Sequence, residues 1–84
     1  MKSKEVLGAL VQKVLALVKE INRKLGEEYL YLTSDLGFFR LYRADKTIDR
    51  LVMAGKNNIE GLSRLVLRLE AANETLDEKE LYDV

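Results

Sequence analysis

Apolar residues recur along the first third of the chain at the spacing of a helix. Leu7, Leu10, Val11, Val14, Val18, Ile21 and Leu25 repeat at three and four positions, which puts them on one side of a 3.6-residue turn. Val6, Leu15 and Leu17 widen the stripe to about half the circumference at roughly 100° per residue. Ser3 is a suitable N-cap, and Gly26 follows Arg23-Lys24-Leu25, basic residues and then a stop, as a helix C-terminus favours. The pattern predicts a helix over residues 4–25, about 33 Å long.

The period then drops to two. Tyr29–Thr33, Phe38–Arg43 and Asp49–Met53 alternate as strands do, separated by Ser34-Asp35-Leu36-Gly37 and Ala44-Asp45-Lys46-Thr47, both turn-forming. Setting Thr33 against Phe38, and Leu41 against Leu51, places like residues on like faces. One face becomes Leu30, Leu32, Phe39, Leu41, Leu51 and Met53, a core. The helical period returns after Gly55. Asn57 and Glu60 have capping-box spacing, and Ile59, Leu62, Leu65, Val66, Leu69 and Ala72 form the buried stripe. Glu60 and Arg64 stand four apart as a supporting pair, Leu67 falls off the stripe, and Asp77 with Glu80 suits a separate short last helix around Leu81 and Tyr82. The expectation is a single α+β domain over residues 1–84, α-β-β-β-α, with a three-stranded antiparallel meander. Two helices cover one face and a short C-terminal helix follows.

The other sheet face attracts attention. The same register gives it Tyr29, Tyr31, Thr33, Phe38, Arg40, Tyr42, Arg50 and Val52, with four of the six aromatic residues. Tyr31 would pair with Arg40, Tyr42 with Arg50 and Tyr29 with Tyr42, and Arg43 would meet Asp49 as an ion pair. Tyr and Arg are favoured where proteins dock, and aromatic platforms with arginine also bind single-stranded nucleic acids. A purely structural role, aromatic pairs steadying a small sheet, is the plain alternative. The candidate partner-binding residues are Tyr29, Tyr31, Phe38, Arg40, Tyr42 and Arg50.

Composition narrows the chemistry. With no cysteine and no histidine, the chain lacks the usual thiolate nucleophiles, general bases and transition-metal ligands. Neither Glu27-Glu28 nor the acids at Asp77, Glu78, Glu80 and Asp83 have a neighbouring base or metal-binding spacing, and the five glycines form no phosphate loop. No catalytic, cofactor-binding or metal residue is assigned, and no enzyme activity is expected. Net charge is zero, yet residues 1–26 carry six bases against two acids and residues 57–84 seven acids against three bases. That division suits an intramolecular match or the steering of a partner. A nucleic-acid binder is usually more basic. The apolar run from Val6 to Val18 is interrupted by Gln12 and Lys13 and is too short for a membrane span. A cytoplasmic protein without membrane contact is expected. Surplus apolar surface on the first helix either packs on the second helix, the plainer expectation, or, with Leu7, Leu10, Val14, Leu17 and Ile21 at heptad spacing, forms a homodimer seam.

Two resemblances bear on function. The element order resembles the double-stranded RNA-binding domain. That family's lysine-rich start to its second helix has no counterpart in Asn57-Asn58-Ile59-Glu60, with only Lys56 beside it, so the activity is not carried over. The string Gly37-Phe38-Phe39-Arg40-Leu41-Tyr42-Arg43 is similar to a hairpin of small uncharacterised phage and prophage proteins. The resemblance implies a mobile-element accessory protein that plugs or masks a host protein. The expected function is a non-enzymatic module acting by protein–protein contact. Single-stranded nucleic-acid binding through the aromatic and arginine face is the alternative.

Overall fold

A computed structural model describes residues 2–82, with side chains over 3–77. The order is α1 (Lys2–Leu25), β1 (Tyr29–Asp35), β2 (Phe38–Ala44), β3 (Asp49–Lys56) and α2 (Ile59–Tyr82), as the periodicities predict. The strands pair antiparallel in the order β1-β2-β3. An odd number of antiparallel strands returns the chain to the end from which α1 set out. The two helices therefore run parallel, with Ser3 and Leu7 near Asn57–Glu60 and Lys24 bonded to Asn73 and Asp77.

The core lies between this helix pair and one face of the sheet. Val14 and Ile21 of α1, Leu30, Phe39 and Leu41 of the sheet, and Leu62, Leu65, Val66 and Leu69 of α2 are buried together. Leu7, Leu10, Leu17, Val18 and Leu25 pack against them. The expected homodimer seam is thus already occupied within the chain. What α1 leaves exposed is Val6, Val11 and Leu15, because the sheet and α2 cover only part of so wide a stripe.

Helix ends obey local chemistry. Gly26 takes φ of +71° after α1, where a side chain would be strained. The α1 helix begins at Lys2, so Ser3 lies within it rather than capping it. At α2 the cap is Asn58: its Oδ1 accepts from the Gly61 N–H at 2.8 Å, and its carbonyl accepts from Leu62. Asn57 instead reaches back, donating to the Gly37 carbonyl at 2.8 Å and to Ser34. No separate last helix forms, since α2 runs unbroken to Tyr82. No Gly or Pro interrupts residues 62–82, and the expected cap, Asp77, pairs with Lys24. That pair and Lys13–Glu70 at 3.4 Å join the basic first helix to the acidic last segment.

The β1–β2 turn is tighter than the four-residue loop the sequence suggests. Asp35 pairs with Phe38, leaving two loop residues, and both Leu36 (φ 49°) and Gly37 (φ 79°) are left-handed. This is the geometry of a type I′ hairpin. Register therefore slides by two: Leu32 faces Leu41 and Tyr31 faces Tyr42. A two-residue slip keeps every side chain on its expected face and changes only its neighbours.

The β2–β3 pairing departs further. Phe39 lies opposite Gly55 and Leu41 opposite Met53, but Tyr42 lies opposite Leu51, so Val52 is an extra residue in a bulge. Val52 and Met53 both turn toward the core. Beyond the bulge the alternation inverts. Leu51, expected in the core, is 57% exposed, and Arg50, expected on the aromatic face, lies opposite Arg43 toward the helix side. The pairing Arg43–Asp49 is lost as well, because Asp49 stands opposite Ala44, and Arg43 binds Glu28 instead.

Two substitutions test this architecture. Leu36 is exposed and left-handed, a conformation that costs an ordinary side chain about 1–2 kcal/mol and that asparagine tolerates. Leu36→Asn is expected to raise the thermal midpoint by several degrees, measured by circular dichroism, since about 1 kcal/mol shifts a domain this size by roughly 4–8 °C. Gly61 should respond in the opposite sense to general helix propensity, which favours alanine by about 1 kcal/mol. A Cβ there would lie 2.0 Å from the Lys56 carbonyl oxygen. Gly61→Ala is expected to lower stability by about 1–3 kcal/mol in chemical denaturation.

Candidate interaction face of the sheet

With both helices on one side of the sheet, its opposite side has no covering element among the described residues. Cross-strand pairing arranges this face in four rows from β1 to β3. They are Asp35, Phe38, Lys56; Thr33, Arg40, Ala54; Tyr31, Tyr42, Leu51; and Tyr29, Ala44, Asp49. Tyr29 and Phe38 are each 48% exposed, Leu51 more so, and Tyr31 and Tyr42 are half-buried against one another. Five of the six sequence-expected residues therefore share the face: Tyr29, Tyr31, Phe38, Arg40 and Tyr42. Arg50 does not, for the reason of the bulge, and Leu51 takes its place. Val52 likewise leaves it.

The rings form a chain of contacts. Tyr31 and Tyr42 stack with centroids 5.1 Å apart and planes 17° from parallel, and Tyr29 leans on Tyr31 at 5.9 Å. Such pairs contribute about 0.5–1.5 kcal/mol beyond their buried area. The expected ring–guanidinium pairs, Tyr31 with Arg40 and Tyr42 with Arg50, and the Tyr29–Tyr42 pair are replaced by these ring–ring contacts. The slipped register sets Arg40 between Thr33 and Ala54 instead.

One hydrogen bond anchors the cluster. The Tyr31 hydroxyl donates to Asp49 Oδ2 at 2.7 Å, which ties β1 to β3 across the central strand. Donation to this carboxylate, then desolvation and the nearby negative charge, push the Tyr31 phenol up to about 12. Asp49 could not be assigned this role from sequence, because only the bulge brings it to this face. Asp45 holds the β2–β3 turn in a similar way. It accepts from the Thr47 N–H and hydroxyl and from the Ile48 N–H, bonds that keep its carboxyl below the usual range.

Asn22 is a second residue that sequence reasoning passed over. Its side chain accepts from the Leu30 N–H at 2.6 Å and donates to the Leu30 carbonyl at 2.9 Å. The amide thus stands in for a neighbouring strand on the outer edge of β1, and satisfies backbone groups that a bare edge leaves open. Toward the start of α1, Leu7, Val11, Leu15, Leu32 and Phe39 line an apolar groove of ≈ 340 Å³. Nothing chemical converges there. No group of three potential metal ligands occurs among the described residues, and none of the described helices is long and apolar enough to cross a membrane.

The Tyr31–Asp49 bond has a measurable signature. Folding favours the protonated phenol, whose pKa in the fold lies above the ordinary value of 10. Its contribution to stability is complete below pH 10 and fades between pH 10 and about 12. Ultraviolet titration should show a phenol ionising near pH 12, and Asp49→Asn should return it toward 10. An unchanged titration in that variant would exclude the bond.

Comparison with protein-family models, with curated proteins and with solved structures finds no match to this chain.

Proposed function

We propose that this protein is a non-enzymatic interaction module that binds another protein through the open face of its sheet. One observation carries the reading: aromatic and apolar side chains with an arginine among them occupy the one sheet face that the helices leave uncovered. Tyr and Arg are favoured in docking hot spots because a tyrosine ring buries much surface at small entropic cost and a guanidinium offers a planar fork of hydrogen-bond donors. Here the cost is lowered in advance, since Tyr31 is held by Asp49 and by its stack on Tyr42. The reading extends to an accessory role in which the module masks a host protein inside the cell, the setting suggested by the hairpin string at Gly37–Arg43.

Single-stranded nucleic acid is the second reading, supported by the exposed rings of Tyr29 and Phe38. Stacking of bases needs open ring faces, and Tyr31 and Tyr42 spend one face each on the other. Balanced net charge also favours a protein partner over a polyanion.

The test is a double substitution. Arg40→Ala with Tyr42→Ala should leave the far-ultraviolet dichroism spectrum unchanged in shape. The same variant should weaken capture of the partner from the source cell by at least about 2 kcal/mol, roughly thirtyfold. Affinity should respond weakly to salt, whereas a nucleic-acid complex would lose affinity steeply as salt rises. Normal binding by the double variant would refute the reading.

A further inference from the structure

The geometry points to an acidic peptide segment, one that sets an Asp or Glu carboxylate on Arg40 beside an apolar side chain, as the occupant of the sheet face. This rests on the reading of that face as a docking surface, and it specifies the chemistry of the partner.

Size limits the occupant first. Three strands of seven or eight residues make a face about 24 Å by 15 Å, roughly 350 Å². A stable complex between two folded proteins covers roughly 800 Å² on each partner. A second copy laid face to face would fall well short of that, while a short segment suits the area.

Charge then selects among segments. On other surfaces Arg23, Arg43 and Arg64 bind the carboxylates of Glu20, Glu28 and Glu60, while the exposed Arg50 and Arg68 bind no carboxylate among the described residues. Arg40 and Lys56 meet none among the described residues. Of the two acids on the face, Asp49 accepts the Tyr31 hydroxyl. Asp35 lies at the corner, two strands away from Lys56. Arg40 stands between Thr33 and Ala54, two short side chains, in the row between Phe38 and the Tyr31–Tyr42 pair. A carboxylate reaching that row can take two parallel hydrogen bonds from the guanidinium. An adjacent apolar side chain would rest on Phe38 or Leu51. A nucleic-acid strand would bring many phosphates to two cations and meet Asp35 and Asp49 as well.

A random dodecapeptide display library provides the probe, panned on the wild-type protein, on Arg40→Gln with Lys56→Gln, and on Tyr42→Ala. Wild-type selections should be enriched in Asp or Glu next to apolar residues. For a selected peptide, Arg40→Gln should raise Kd at least tenfold. Changing the peptide's Glu to Gln should do the same, and the two changes together should add little more. Neutral or basic peptides that still need Tyr42 would overturn the acidic specificity and leave the docking face standing. Selections indifferent to all three substitutions, or no enrichment at all, would overturn both. A labelled oligothymidylate binding more tightly than the selected peptides would overturn the inference in favour of nucleic acid.

Discussion

The arrangement of this sheet depends on two consecutive left-handed residues. Leu36 and Gly37 close the β1–β2 hairpin in the two-residue form, whose twist matches that of the flanking strands. The pairing of β1 with β2 takes its register from that closure. It sets Leu32 against Leu41 in the core and stacks Tyr31 on Tyr42 outside. A loop longer by two residues would keep both faces and break both pairs. The constraint is maintained even though Leu36 is poorly suited to it, since glycine supplies only one of the two positions.

The second constraint is that a lone three-stranded sheet has two faces and the chain has two helices, both on the same side. Parallel helices place equal ends of their dipoles together, and the seam is held by side chains that cross it. Lys24 is the central one. Its amine is almost wholly enclosed, donates to Asn73 and Asp77, and lies 3.6 Å from Glu20. The contact with Asp77 holds the amine above the usual lysine range, so it stays charged. Close packing at the other end is bought with glycine: Gly55 admits the Phe39 ring, and Gly61 lets α2 start against the Lys56 carbonyl. The outer face is then whatever the alternation leaves, an aromatic surface steadied from within by Tyr31 and Asp49.

That surface was partly legible in the chain. Tyr29, Tyr31, Phe38, Arg40 and Tyr42 are assigned correctly by alternation alone, because alternation is blind to a two-residue slip. Arg50, Leu51 and Val52 are assigned wrongly, because one extra residue at a bulge reverses the alternation beyond it. No local signal marks the bulge. It follows from Val52 and Met53 both packing into the core beneath α2 while Leu41 holds the centre. Asn22 and Asp49 were invisible for a related reason: each bonds a group on another element, and neither spacing nor composition expresses such a contact.

Taken alone, the sequence determined the two main helices, the three strands, their order and the centre of each helix's buried stripe, although Val11, Ile59 and Ala72, placed on those stripes, are exposed. These follow from periodicity and local end signals, which act within a few residues and are written in the chain. It also determined which chemistry is missing, since a chain without cysteine or histidine cannot assemble the sites that need them. Tertiary structure decided who meets whom. The bulge at Val52, the enclosure of Lys24 and the removal of Arg50 from the aromatic face all depend on contacts between residues far apart in sequence. Their free energies are settled only when the whole core packs at once.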